Sequence, residues 1–186
     1  PDQLLAMGQS MGGMYANIIS ATEPRVQATL PTGAGGFWTY FILKTGLIPN
    51  AAGAVGTLLL GTTQPLTFMH PALMLTETAW EPADPVVYMP RLARRPLPGH
   101  PTRPIYEPVG KGDSYFPTDV YDAMALAYGH REAGDTIWKS MQTALALEGL
   151  DGIIGYPVAG DVKSLGPGKA PYTGVIVQYE GDGIYD

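Results

Sequence analysis

The stretch Gly8-Gln9-Ser10-Met11-Gly12 decides the fold of this chain. An apolar run, Leu4 to Met7, precedes it, and residues with helical spacing follow it. A serine between two glycines at such a junction predicts a strand, a tight turn and a helix, because residues without bulk are needed where strand and helix approach closely. The turn would hold Ser10 in a strained conformation with its hydroxyl exposed. Ser10 is therefore a candidate nucleophile, and the competing interpretation is a serine that merely caps the helix.

The residues around this stretch predict a strand–helix–strand unit. Apolar patterning favours a strand at 3–8, a helix at 10–21 and a second strand at 26–31, which ends in the glycine-rich turn 33–36. A helical crossover makes the two strands parallel. Ligands bind at the carboxyl ends of strands in open α/β sheets, and both Ser10 and the turn 33–36 are predicted to lie there.

Residues 37–80 are rich in apolar, aromatic and methionine side chains, in helical stretches broken by glycine and proline. They fall between two predicted strands at the ligand-binding end. We interpret them as a helical cap whose apolar inner face binds substrate, with Phe37 and Trp38 as candidate contacts. The alternative is a set of ordinary helices that cover the core. The proline-rich residues 81–103 predict a loop that returns to the sheet.

A third strand is predicted at 102–109, followed by Gly110-Lys111-Gly112-Asp113. An aspartate in a glycine-bounded turn after a strand suits a carboxylate that points from the sheet edge toward an imidazole. Asp113 is therefore the candidate acid, although aspartate is also a common turn residue. Helices at 121–128 and 136–147 and a last strand at 172–179 complete the predicted elements.

Composition limits the class of protein. With 186 residues and 45% hydrophobic content, the chain is long enough for one domain with a core, and no repeat or linker supports a second one. A net charge of -6 argues against a nucleic-acid partner. The absence of cysteine excludes disulfides and thiolate metal sites. Polar and proline residues between 44 and 65 divide the apolar stretch, so no transmembrane segment is predicted. The sequence does not predict the cellular compartment, since these residues include no targeting signal before the first strand.

Taken together, these features resemble the carboxyl-terminal part of the α/β-hydrolase superfamily, in particular serine hydrolases of the esterase or lipase type. The resemblance covers nearly the whole chain, and only the serine motif is specific. It implies an α/β fold with a mostly parallel sheet, helices on both faces, a cap insertion at 37–80 and one incomplete domain over 1–186.

The resemblance also implies roles for single residues. Ser10 attacks an acyl carbonyl, Asp113 orients the imidazole, and the backbone N–H of Met11 stabilises the oxyanion. Gln9 lines the substrate pocket together with Phe37 and Trp38. The implied reaction is hydrolysis of a carboxylic ester with an apolar or lipid-like acyl group, through an acyl-serine and without a metal or organic cofactor.

The family's order is serine, acid, histidine, and here the chain departs from it. The histidines are His70, His100 and His130, of which two precede Asp113. His130 follows the acid within or beside the next helix, where a solvated residue is predicted. We therefore expect the catalytic histidine beyond Asp186 and the second oxyanion donor before the first residue. On this interpretation the fragment is inactive without the missing amino- and carboxyl-terminal parts of the same chain.

Two alternatives explain the missing histidine differently. Patatin-like lipases use a similar serine with an aspartate before a glycine as the base, and Asp151-Gly152 and Asp182-Gly183 match that pattern. A non-catalytic binding module on the same fold is the other alternative.

Overall fold

The parallel sheet is the framework of the computed structural model, which describes residues 3–160 and 173–181. Its strands are β1 (Leu4–Gln9), β2 (Val26–Thr32), β3 (Ile105–Lys111), β4 (Arg131–Ala133) and β5 (Gly174–Glu180). The strand order is β1-β2-β3-β5-β4, and every neighbouring pair is parallel. The predicted α/β fold with a parallel sheet is confirmed.

Helices make the crossovers between these strands. They are α1 (Met11–Thr22), α2 (Trp38–Lys44), α3 (Ala51–Leu58), α4 (Pro71–Trp80), α5 (Pro85–Leu92), α6 (Thr118–Tyr128) and α7 (Ser140–Ala146). Helix α1 connects β1 to β2, and α6 and α7 connect the last three strands. A tight turn can join only antiparallel strands. Neighbouring parallel strands therefore need a longer crossover, which here is a helix. All parallel carboxyl ends consequently meet at one edge of the sheet.

One face of the sheet holds the main core. Gly8 lies on this face, against Gly12 and Gly13 of α1. The strand register places Ile105 and Ile176 on the same face as Gly8. Both isoleucines belong to a buried cluster that also includes residues of α1, α5, α6 and α7. Helices were expected on both faces of the sheet. Within residues 3–160 and 173–181, the helices that pack on the sheet cover the face with the main core.

The opposite face is bare at β1. Side chains alternate between the two faces along a strand, and Leu5 and Met7 are 79% and 77% exposed there. Farther along the sheet, the same face carries a small cluster of Val175 and Val177 with Ile154. Strand β1 therefore presents an apolar surface on this face that no described residue covers.

The predicted cap region is helical in the structure. Helices α2, α3 and α4 lie within residues 37–80, and α2 contacts both α3 and α4. Its role as a cap over the site is not tested by this observation. The predicted loop at 81–103 was wrong in part, since α5 occupies Pro85–Leu92. Proline is tolerated at the first position of a helix, where Pro85 stands, and the Asp84 side chain accepts the N–H of Val86.

In the residues that the structure describes, no helix is both long and apolar enough to cross a membrane.

Candidate active site

Ser10 occupies the turn between β1 and α1, with backbone angles φ 53° and ψ -122°. Positive φ is uncommon for a residue with a Cβ and costs on the order of 1–3 kcal/mol, so the surrounding structure must impose it. The Ser10 N–H donates to the carbonyl of Thr32 over 2.9 Å, and its carbonyl accepts the N–H of Met14 over 3.1 Å. The residue is exposed, and its side chain makes no capping hydrogen bond to the helix. The hydroxyl is therefore available for chemistry rather than used as a cap.

Glycines allow the close approach that produces this turn. A Cβ on Gly8 would overlap the carbonyl group of Gly12 and lie 2.8 Å from the nitrogen of Gly13. A Cβ on Gly13 would lie 2.8 Å from the Cβ of Ala34. At Gly12, by contrast, an added Cβ would meet no described atom within 4 Å. The first glycine of the motif and Gly13 thus have a steric function here.

Asp113 follows β3 and is held by three hydrogen bonds. Its Oδ1 accepts the N–H groups of Tyr115 and Phe116 over 2.7 and 3.0 Å, and its Oδ2 accepts the hydroxyl of Tyr121 over 2.7 Å. The two bonds to Oδ1 are those of an ordinary aspartate turn. The bond from Tyr121, a buried residue of α6, fixes the second oxygen as well. The carboxylate is half-buried and has one defined orientation.

The turn after β2 adjoins both candidate residues. Thr32 accepts the N–H of Ser10, while a Cβ on the next residue, Gly33, would lie 4.0 Å from Oδ2 of Asp113. Gly33 has φ 49°, a conformation that favours glycine. Ser10 and Asp113 therefore lie at the same carboxyl edge of the sheet, on either side of this turn. Their catalytic roles remain predictions.

Met11 is the first residue of α1, where helix geometry leaves the N–H without an acceptor inside the helix. Its side chain is 62% exposed and lines an apolar groove of about 710 Å³. Trp38, predicted to contact substrate, lines the same groove. Phe37 instead stacks on Tyr40, with ring centroids 5.2 Å apart. Gln9 is exposed at the end of β1, on the sheet face opposite α1.

The start of α2 is held by two carboxyl groups. The buried Asp84 accepts the N–H groups of Phe37 and Trp38, both over 2.7 Å. Glu77, which is half-buried, accepts the N–H of Thr39 over 3.0 Å. Burial, and then the hydrogen bond and negative charge of Asp84, raise the pKa of Glu77 to about 7. Near neutral pH Glu77 is therefore partly protonated, and the two carboxyl groups stabilise the wall of the groove that Trp38 forms.

Two histidines lie away from Ser10. His130 directly precedes β4, so it lies at the amino edge of the parallel sheet, opposite the edge that holds Ser10. The prediction that His130 is solvated was wrong: it is fully buried, stacks on Tyr128 at 4.7 Å, and has a pKa lowered to about 3 by burial. His100 contacts the carbonyl of Thr22, the last residue of α1, at 3.1 Å. That position is about 18 Å along the helix from Ser10.

His70 directly precedes α4 in the cap region, at the opposite end of that helix from the groove residue Trp80. Among the described residues, no group of three or more His, Asp or Glu side chains is arranged to hold a metal ion.

Of the two aspartates of the dyad alternative, Asp151 is not brought to Ser10. The Asp151 carbonyl accepts a hydrogen bond from Arg131 over 3.0 Å, and Arg131 begins β4. Asp151 therefore lies near the amino edge of the outermost strand. Asp182 lies outside the described residues.

Sequence reasoning missed Tyr121, Asp84 and the groove residues Met14, Tyr15 and Ile18 of α1, and it assigned Met11 only a backbone role. Met11, Met14, Tyr15 and Ile18 have helical spacing on one face, and this signal could have identified the groove. Asp84 binds N–H groups 46 and 47 residues earlier, which local patterns do not reveal. Tyr121 lies only eight residues after Asp113, but its bond depends on how α6 packs beside the turn.

No protein-family model matches the sequence, and no curated protein matches it. Among solved structures, a puromycin-hydrolyzing peptidase of Mycobacterium tuberculosis matches with a TM-score of 0.46 and 15% identity, over 97% of this chain and 19% of that chain. A proline iminopeptidase of Mycobacterium smegmatis matches with a TM-score of 0.28 and 14% identity, over 84% of this chain and 58% of that chain. The chain thus spans less than two thirds of the length of either. At these identities and TM-scores, neither likeness supports a conclusion about function.

Proposed function

We propose that this protein is a serine hydrolase of the α/β-hydrolase type, which cleaves carboxylic esters with apolar acyl groups. The observation that supports this best is the conformation of Ser10. An exposed serine with φ 53° between a strand and a helix, making no capping bond, has a strained backbone without a structural use for its hydroxyl. Strain of this kind is typical of a nucleophile presented to a substrate.

In the proposed reaction, Ser10 Oγ forms a bond to the acyl carbonyl carbon while a histidine accepts its proton. The Met11 N–H donates to the resulting oxyanion, and Asp113 orients the imidazole. The histidine then gives the proton to the departing alcohol, which leaves an acyl-serine. A water molecule hydrolyses this ester, and the proton returns through the same base. We propose that the histidine and the second oxyanion donor lie outside the 186 residues, in the rest of a longer chain.

The apolar groove beside Met11 favours esters of apolar acids over charged peptides. Among the residues that the structure describes, no charged side chain lines it, and Met14, Phe41 and Trp80 contribute to its walls. Transfer of a charged group into such surroundings is costly without a partner, so an uncharged acyl group fits better.

The test is covalent labelling of the full-length protein with a fluorophosphonate. We expect labelling at Ser10, its loss in Ser10→Ala, and its retention in Ser114→Ala, an exposed serine next to Asp113 that serves as the matched control. Labelling that persists in Ser10→Ala contradicts the proposal. Absence of both labelling and ester hydrolysis in the full-length protein would favour a binding module instead.

A further inference from the structure

The apolar groove runs along α1 away from the candidate nucleophile. Met11, Met14, Tyr15 and Ile18 form one wall, and Trp38 and Ile42 belong to the other. The residues of α1 are spaced at i, i+3, i+4 and i+7, so they form a stripe along one face of the helix. Seven steps of 1.5 Å give the stripe a length of about 10 Å. One end of this stripe adjoins Ser10, and Ile18 lies at its far end.

The walls offer apolar contact rather than hydrogen bonds. The indole N–H of Trp38 already donates to the carbonyl of Ala83 over 3.2 Å, so the ring presents its apolar surface. The backbone of Trp38 is fixed by Asp84, as described above. Met11 and Tyr15 are 62% and 56% exposed, which leaves apolar surface uncovered. An occupant that covers it must be elongated and uncharged along its length.

We propose that this groove binds the straight acyl chain of the ester, with the carbonyl at Ser10 and the chain end at Ile18; this rests on the proposed function. The continuity of the groove with Met11, the residue after Ser10, selects this occupant. A zigzag of carbon–carbon bonds of about 1.5 Å covers about 10 Å in roughly eight carbons. The preferred acyl group is therefore of medium length, near octanoyl.

Ile18 is the specificity-determining residue on this view, because a larger side chain there fills the far end of the groove. In the full-length protein, Ile18→Trp should lower kcat/KM for p-nitrophenyl octanoate at least tenfold and leave p-nitrophenyl butanoate within about twofold. Each methylene that the larger side chain excludes from the groove lowers kcat/KM by roughly fourfold at most, because burying one methylene contributes about 0.8 kcal/mol. Ile19→Trp is the matched control, since Ile19 is the next residue, is 50% exposed and does not line the groove.

Binding measured without chemistry separates this inference from the proposed function. Methyl octanoate, titrated by calorimetry into Ser10→Ala, should bind, and adding Ile18→Trp should weaken binding at least tenfold while Ile19→Trp does not. If Ile18→Trp fails to fold, Ile18→Phe makes a smaller change at the same end of the groove. Binding that neither substitution weakens overturns the inference. Binding that is weakened as expected, in a protein whose Ser10 is not labelled by fluorophosphonate, supports the groove and contradicts the hydrolase.

Discussion

Tyr121 donates its hydroxyl to Oδ2 of Asp113 over 2.7 Å, from the first turn of α6. If Asp113 orients a histidine, this bond fixes the oxygen beside Gly33. A hydrogen bond to a charged group contributes about 1.5–3 kcal/mol. Tyr121→Phe should therefore lower kcat about tenfold in an ester-hydrolysis assay, with KM little changed.

Tyr128→Phe is the control for this change. Tyr128 is also a fully buried tyrosine of α6, and its hydroxyl donates to Asn17 over 2.8 Å, near the other end of the helix. Tyr128→Phe should lower the free energy of unfolding by about 1 kcal/mol and Tyr121→Phe by about 1.5–3 kcal/mol, and only Tyr121→Phe should lower kcat. Equal losses of kcat would mean that the Tyr121 bond is merely structural.

The strain at Ser10 predicts that its substitution by glycine removes activity but leaves the protein more stable than substitution by alanine. Ser10→Gly removes the Cβ that makes φ 53° unfavourable, whereas Ser10→Ala keeps it. Both variants should be inactive. In urea denaturation, Ser10→Gly should be more stable than Ser10→Ala by about 1 kcal/mol. The same stability in both variants would show that the turn is not strained.

The two glycines of the serine motif should respond differently to alanine. At Gly8 the new Cβ meets backbone atoms of Gly12 and Gly13, which cannot rotate away, so Gly8→Ala should destabilise the protein by about 3 kcal/mol. At Gly12 it meets no described atom, and alanine is the better helix former, so Gly12→Ala should stay within about 1 kcal/mol of the original protein. Thermal unfolding of the two variants distinguishes these expectations.

The sequence could predict local elements but not those that depend on contacts across the fold. The strand–turn–helix was predictable because apolar spacing and small residues act over a few positions. Helix α5 was missed because its prolines resemble those of a loop, and the aspartate that caps it also binds N–H groups 46 and 47 residues earlier. Strand β4 has three residues, too few for a pattern, and its place outside β5 depends on contacts across the sheet.

Burial of His130 predicts that it is not the base. With a pKa lowered to about 3, the imidazole is neutral across the range in which hydrolases work, and it lies at the amino edge of the sheet. His130→Phe preserves a ring against Tyr128. The rate of fluorophosphonate labelling at Ser10 should be unchanged in this variant, although the melting temperature can shift. Removal of a true triad base would slow the reaction by several orders of magnitude, and such a loss would contradict the assignment.

The carboxyl pair of Glu77 and Asp84 predicts a pH dependence of stability. The pKa of Glu77 is about 7 in the folded protein and about 4.3 in an unfolded chain, so the folded state holds the proton more tightly. Its contribution is complete below about pH 4 and is lost as the pH rises to about 7, because the unfolded state then releases the proton first. The loss is smaller than the roughly 1.4 kcal/mol per pKa unit of a fully buried group, since solvent screens half-exposed Glu77. Glu77→Gln should remove this dependence, and Glu81→Gln, at an exposed position just after α4, should retain it. Melting temperatures at pH 5 and pH 8 give the comparison: an equal decrease in Glu77→Gln and in the original protein would show that the pKa of Glu77 is not raised.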